Sequence, residues 1–457
     1  MRTTLLLASL LAPSLALQQV HTTRAATISA CARRQPLLPA ASRLRGGGAR
    51  IRGVAQSPPA PPARSPALPL QLTAFVFMVG ISLVTLTPAP YMVEKLGVER
   101  GMRLLTALAT TSAGAEIGLS PIFGGLTDSL GRKPVLIGML LIACLSNVAT
   151  AVWPSVALVA LSKFVASLVI GIFFLAAGAI LADNFRGEPA KLASASGILF
   201  ALVNGSFGLG VALSGLLPSG LRFRYAISAT ISLCGLLLGM IGIKESLPVA
   251  DRVPFQMRSF NPFAFTRLLA ASRAMRLLSV LMALSLAPLF MGDTLQVFCL
   301  SHWKLSNAQV SQLFTGVAIQ GVIANVISGA LIKRLGLQLF TVISTASTLL
   351  FWAGFSTGVP RVAMIGAVVG LLGPARTLGA STMITSEGSR LGIPQGQLSG
   401  DRANLVAWLK VLGPLVYGQL YVTGTATGMP TLPFVLNCGF ALAALLLVPV
   451  ALAPASS

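Results

Sequence analysis

Long apolar runs separated by short polar breaks recur along this chain from about residue 71 to residue 453. Most approach or exceed the length of about 18 residues that lets a helix cross a bilayer. Matching runs to breaks predicts spans at 71–93, 104–127, 134–153, 156–182, 192–217, 224–243, 277–299, 309–332, 337–357, 361–385, 403–424 and 431–453. The predicted fold class is an all-α membrane protein of twelve transmembrane helices. Six fall in an N-terminal half, 71–243, and six in a C-terminal half, 277–453, with residues 454–457 as a tail.

An internal repeat supports the division. The stretch GGLTDSLG (Gly124 to Gly131) returns 205 residues later as GALIKRLG (Gly329 to Gly336), and the same shift carries the first span onto the seventh. Six-span repeats related by an axis along the membrane normal are the plan of one large class of transporters.

The connection at 244–276 is the long one. It is basic and partly amphipathic, and Asn261-Pro262 has the grammar of a helix start, a capping side chain before a Pro whose missing N–H costs nothing there. An interfacial helix tethering the halves is expected. Lysine and arginine accumulate on the cytoplasmic or equivalent side. Placing the 127–134 loop inside collects 14 basic residues there, Arg186 and Arg258 among them, against 7 on the opposite side.

Only 10% of the 457 residues are charged and 54% are hydrophobic, whereas a soluble domain carries roughly 25% charged residues. The formal charge of +22 raises the question of nucleic acid, since basic patches bind phosphate backbones. Nine of the 33 basic residues lie in the first 64 positions and most others sit in short loops, with no basic stripe interleaved with aromatics. No nucleic-acid partner is expected.

The first 17 residues, MRTTLLLASLLAPSLAL, read as a signal peptide, with an apolar core too short to span. Residues 18–64 are acid-free and rich in Ala, Arg, Ser and Pro, the composition of a transit peptide. The pair resembles the bipartite leaders that target proteins to complex plastids; a disordered tail or a mitochondrial leader is the other reading. Residues 65–70 complete a Pro-rich linker.

The five cysteines are scattered without metal-site or disulfide spacing, and His302 is the one histidine beyond the leader. Acid–base and metal chemistry lack material, so an enzyme is not expected, and neither a metal nor a cofactor is. No phosphate-binding Gly-x-x-x-x-Gly-Lys-Ser/Thr run is present. A receptor without transport activity remains the alternative class.

The 124–133 stretch resembles the signature loop of the major facilitator superfamily, Gly-x-Leu-x-Asp-Arg/Lys-x-Gly-Arg-Lys/Arg, in Gly124, Leu126, Asp128, Gly131, Arg132 and Lys133. Residues 396–421 are similar to the span 10–11 region of the tetracycline-antiporter-like branch in Gly396, Gly400, Leu405, Gly413, Pro414, Gly418 and Tyr421. Val211 stands where the branch has a Pro in span 5, and span 1 contains no acid. The resemblance covers about residues 71–453. It implies a monomeric secondary transporter working by alternating access on a small-molecule substrate in the bilayer, with the signature loop latching the halves in the outward-open state.

Charges within spans cost about 2.5–3.5 kcal/mol each on insertion scales and are functional candidates. They are Glu116, Lys163, Asp293, Arg376 and Lys410. Glu116 lies about 16 Å from the inner end of its span, near the midplane, where it is either a proton site or a structural glutamate facing a neighbour helix. Lys163 lies nearer the outer end, so its pairing with Glu116 looks strained. Arg376 and Lys410 fall at similar depth, and either an anion sits between them or both snorkel to the inner surface. Asp293 is in the outer part of its span. Gly205, Gly208, Gly210 and Gly215, with Gly413 and Pro414, read as helix-packing positions. Pro374 and Pro414 are also candidate bends.

Overall fold

The structure, a computed structural model, describes residues 67–185, 188–218, 220–255, 261–393 and 395–452. The predicted leader, the tail, Arg186 and Arg258 lie outside these residues.

Proline starts several helices, because the first turn has no use for its missing N–H. α1 (Leu68–Thr85) and α2 (Pro88–Leu96) together form the first span, broken ahead of Pro88. α3 (Val98–Ser129), α4 (Arg132–Val152), α5 (Val156–Asn184), α6 (Pro189–Leu216) and α7 (Leu221–Gly242) complete the first half. α5 is capped by Ser155, whose side chain accepts from the Leu158 N–H at 3.2 Å.

In the second half, α8 (Thr266–Ala271) precedes a seventh span made of α9 (Arg273–Leu286), a 3₁₀ stretch through Pro288, and α10 (Gly292–Ser301). α11 (Asn307–Ser356) opens on a capping box between Ser306 and Gln309 and contains two spans, divided at Gly336 where φ is +78°. α12 (Pro360–Val369) and α13 (Arg376–Arg390) are one span bent by 55° around Pro374. α14 (Gln395–Ala426) stays continuous through Pro414, and α15 (Leu432–Leu452) ends the fold. Among the described residues, nine helices are long and apolar enough to cross a membrane, and the bent α12–α13 pair makes a tenth. With α11 divided in two and the 32-residue α3 counted as a span, the described helices are consistent with the predicted twelve.

The repeat is visible in the backbone. Gly131 and Gly336, equivalent under the 205-residue shift, both have positive φ, +111° and +78°. Each makes the turn between two antiparallel spans.

The linker departs from expectation. Asn261-Pro262 opens a turn, with the Asn261 side chain accepting from the Phe263 N–H at 2.9 Å, and helix begins only at Thr266 for six residues. Docking explains the difference. Phe263 stacks on Trp408, the Trp408 indole donates to the Pro262 carbonyl at 2.6 Å, and Asn404 accepts from the Phe265 N–H at 3.1 Å. These anchors on α14 hold an irregular path that a straight surface helix could not follow.

The halves meet along α3 with α14 and α6 with α11. One buried apolar cluster joins them at the outer end, with Met92, Leu105 and Val159 of the first half against Phe298, Phe355 and Tyr421 of the second. Toward the inner end, where the Gly131 turn lies, the cores are separate. Leu136, Phe173 and Leu199 belong to one, and Leu281, Ile384 and Leu398 to the other. A Cβ added to Gly118, Gly197, Gly329 or Gly400, in the inner halves of these four helices, would meet nothing within 4 Å.

Candidate functional site

Under the outer cluster lies a cavity of about 400 Å³ walled by both halves. Ile81, Phe207, Phe290 and Phe314 give it apolar sides, while Lys163, Asp293, Gln296 and Lys410 line it with polar groups.

Four of the five intramembrane charges form two ion pairs, and each pair crosses between the halves. Lys163 Nζ of α5 donates to Asp293 Oδ1 of α10 at 2.9 Å. Lys410 of α14 pairs with Glu116 of α3. The arrangement is crossed, since each half contributes one base and one acid. Charges in a low dielectric must be paired to be tolerated, and in this state all four are.

The broken seventh span places Asp293. With helix restarting at Gly292, Asp293 stands in the first turn of α10, where unpaired backbone N–H groups favour a carboxylate. The 205-residue shift aligns Asp293 with Pro88 at the break of the first span. The same breaks are bridged across the halves, because the Gln296 amide donates to the carbonyl of Leu86 at 2.5 Å. Glu116 sits instead in the middle of α3, its carboxyl laid over Gly171 of α5, where any Cβ would overlap it.

Arg376 does not line the cavity that Lys410 faces, nor does it reach the surface. It is 7% exposed, and its guanidinium donates to the carbonyls of Ser285 at 2.7 Å and Gly373 at 2.9 Å. Both carbonyls lie where the seventh and tenth spans break, and that of Gly373 accepts in addition from the Arg376 N–H and, at 3.3 Å, from the Thr348 hydroxyl.

The signature loop forms a second polar cluster at the inner end. Arg132 pairs with Asp128 and donates to Asp183 at 3.3 Å. Glu245, from the start of the linker, accepts from the N–H groups of Arg132 at 3.0 Å and Lys133 at 3.2 Å, capping α4. Lys133 Nζ donates to the Met240 carbonyl at 2.7 Å, and the Val253 N–H donates to the Asp128 carbonyl at 3.3 Å. These residues all belong to the first half and its linker. Gly124 has open space about it.

Of the glycines read as packing positions, Gly210 meets Val79 and Ser82, Gly215 meets Ser311, and Gly208 meets Ala318. Gly413 packs against Phe290, and Pro414 lines the cavity. Gly205 is the exception, since a Cβ there would meet nothing within 4 Å. Gln296 and Tyr225, both on the cavity wall, and Glu245 go unforeseen in the sequence, being uncharged or in a loop. The 205-residue shift that sets Asp293 beside a helix break is the one signal that points near Gln296. Among the described residues no group of three or more His, Cys, Asp or Glu is placed to hold a metal ion.

Comparison with known proteins agrees with this architecture. A sequence profile of the Major Facilitator Superfamily matches residues 70–386. The tetracycline resistance protein, class C, of Escherichia coli is 25% identical over 324 residues, covering 67% of this chain and 77% of that protein. The crystal structure of the human organic anion transporter MFSD10 (TETRAN) superposes with a TM-score of 0.61 at 19% identity, covering 85% of this chain and all of that one. A bacterial homologue of the iron transporter ferroportin, in an inward-facing state, gives a TM-score of 0.63 at 14% identity, with 85% of this chain and 99% of that one covered. At these identities the two structures speak to fold alone.

Proposed function

The chain belongs to the major facilitator superfamily, and from that premise we propose that it carries a small organic anion through the cavity between its halves by alternating access. The observation that carries the anionic assignment is the cavity's lining. Lys163 from one half and Lys410 from the other both face it, and Asp293 is the one carboxylate in the lining, Glu116 standing behind Lys410. The apolar sides suit a hydrophobic body behind the charged group. One neighbour of the same fold, MFSD10, is itself described as an organic anion transporter.

The closed outer cluster and the separate inner cores correspond to a state open toward the inner face. Glu116, at membrane depth and paired across the halves, is the residue we assign to a coupling proton. The leader's composition further supports a plastid membrane, which a fluorescent fusion of the first 65 residues in an algal host tests.

Uptake into proteoliposomes of a panel of labelled carboxylates, organic cations and neutral solutes tests the anion assignment. Carboxylates are expected to accumulate, and Lys410→Gln and Lys163→Gln to abolish it. Flux of cations or neutral solutes with none of any carboxylate overturns it.

A further inference from the structure

The four charges of the site sum to zero while Glu116 holds Lys410 and Asp293 holds Lys163. A monovalent anion entering alone would leave a net negative charge in a low dielectric, which is strongly disfavoured. Resting on the reading of the cavity as an organic-anion site, we propose that anion and proton enter one for one. The anion's oxygens replace the Glu116 carboxylate on Lys410, and the displaced Glu116 carboxylate takes a proton from cavity water. Charge is conserved, since the arriving anion and proton cancel, and the loaded site is as neutral as the empty one. On the far side the anion leaves, Glu116 returns its proton to water, and the pair closes again. The carrier is thereby an electroneutral symporter.

The geometry selects which pair opens. Lys410 is the more exposed lysine, at 32% against 19% for Lys163. Lys410 lines the cavity while Glu116 stands behind it over Gly171, so an incoming anion reaches the ammonium without first meeting the carboxylate. It also selects which acid takes the proton. Asp293 keeps both Lys163 and the N-terminus of α10 as partners. Glu116, in mid-helix, has the ion pair with Lys410 and loses it. Gly171 leaves room for the carboxyl in the paired state.

The charged groups facing Glu116 are few. On the elements packed about α3, Lys410 is on α14, Lys163 on α5 and Asp293 on α10, with the Tyr225 phenol of α7 on the cavity wall. The other charges of these helices lie at their ends: Asp401 and Arg402 on α14, Asp183 on α5, Arg132 and Lys133 on α4, Glu94 and Lys95 on α2.

Benzoate is a suitable probe, with one carboxylate and an aromatic body for a cavity bordered by Phe207, Phe290 and Phe314. The purified full-length protein is titrated with benzoate in weakly buffered detergent solution containing a pH-indicator dye. About one proton taken up per benzoate bound is expected, and none on adding benzamide. Linkage then requires the benzoate Kd to weaken as pH rises, by about tenfold per pH unit wherever one full proton is taken up per benzoate. Glu116→Gln is expected to bind benzoate with no proton uptake and no pH dependence. Saturable binding by the unaltered protein without proton uptake, or with a flat pH profile, overturns the coupling while leaving the anion site standing. Proton uptake that persists in Glu116→Gln overturns the assignment to Glu116. Absence of saturable benzoate binding across the pH range overturns the anion site and the coupling with it.

Discussion

Lys163 Nζ lies 2.9 Å from Asp293 Oδ1, an ion pair that ties α5 of one half to α10 of the other directly beneath the closed outer end. Because the two residues belong to different halves, the pair helps hold the halves together in this state. On the proposed reading the cavity's charges are both binding groups and fasteners, and loosening them is expected to change which face is open.

Removing one partner strands the other. Lys163→Gln or Asp293→Asn is expected to lower stability by about 3 kcal/mol, the lower end of the range for a buried pair because both side chains keep some exposure. Transport should fall at least tenfold. The exchange Lys163→Asp with Asp293→Lys should recover part of the stability and less of the transport, since it moves the acid away from the α10 N-terminus. Thermal unfolding in detergent and flux in proteoliposomes measure the two separately. Equal stability of single variants and exchange would show that the pair contributes nothing.

The two repeat-equivalent glycines offer an internal control. Gly336→Ala has open space and should cost about 1–3 kcal/mol, the penalty of holding a residue with a Cβ in a backbone region essentially reserved for glycine. Gly131→Ala carries that penalty and also drives its Cβ into the Glu245 carboxylate that caps α4. It should cost roughly twice as much, adding the loss of a cap. Comparing melting temperatures of the two variants checks this, and equal shifts would remove the cap from the account.

How far the sequence reveals this architecture depends on what sets each feature. Span positions are legible because bilayer thickness demands about 20 apolar residues whatever their neighbours. The turn at Gly336 is legible because its motif repeats that at Gly131. Depth along a helix can be counted, so Glu116 and Lys410 are both placed well inside the membrane. Direction around the helix axis cannot be counted across 294 residues, and that direction decides that Lys410 meets Glu116. Arg376 and Asp293 are harder still. Counting along continuous helices puts Arg376 level with Lys410 and Asp293 in an outer wall. The breaks at Pro374 and Pro288 turn one onto backbone carbonyls and the other into the cavity. Their prolines are visible in sequence, but the resulting rotation is a product of packing.

At the inner end, Asp128→Asn is expected to leave this state largely intact, because Arg132 retains its bond to Asp183 and Glu245 still caps α4. If the signature loop serves the opposite, outward-open state, as its family resemblance implies, the substitution shifts the population toward the state described here. A single cysteine at position 311, covered by Gly215 at the outer end, would then react at least threefold more slowly with an impermeant maleimide in Asp128→Asn than without it. Faster reaction would assign the loop to holding the inner-open state instead.

The outer contact itself can be locked. A Cβ built on Gly215 of α6 stands 2.9 Å from the Ser311 Cβ of α11, slightly closer than the roughly 3.5–4.5 Å of a disulfide, so a small separation of the helices accommodates the bond. Gly215→Cys with Ser311→Cys, in a background lacking the native cysteines, should cross-link on mild oxidation. Because α6 and α11 belong to different halves, the bond ties the outer end shut and leaves the cavity accessible from the inner face alone. Transport is expected to stop in the oxidised protein and return on reduction, while saturable benzoate binding persists in both forms. That separation is the decisive readout. Loss of binding along with transport would mean that the cross-link deforms the cavity, and undiminished transport in fully cross-linked protein would mean that α6 and α11 need not part at this point for the carrier to turn over.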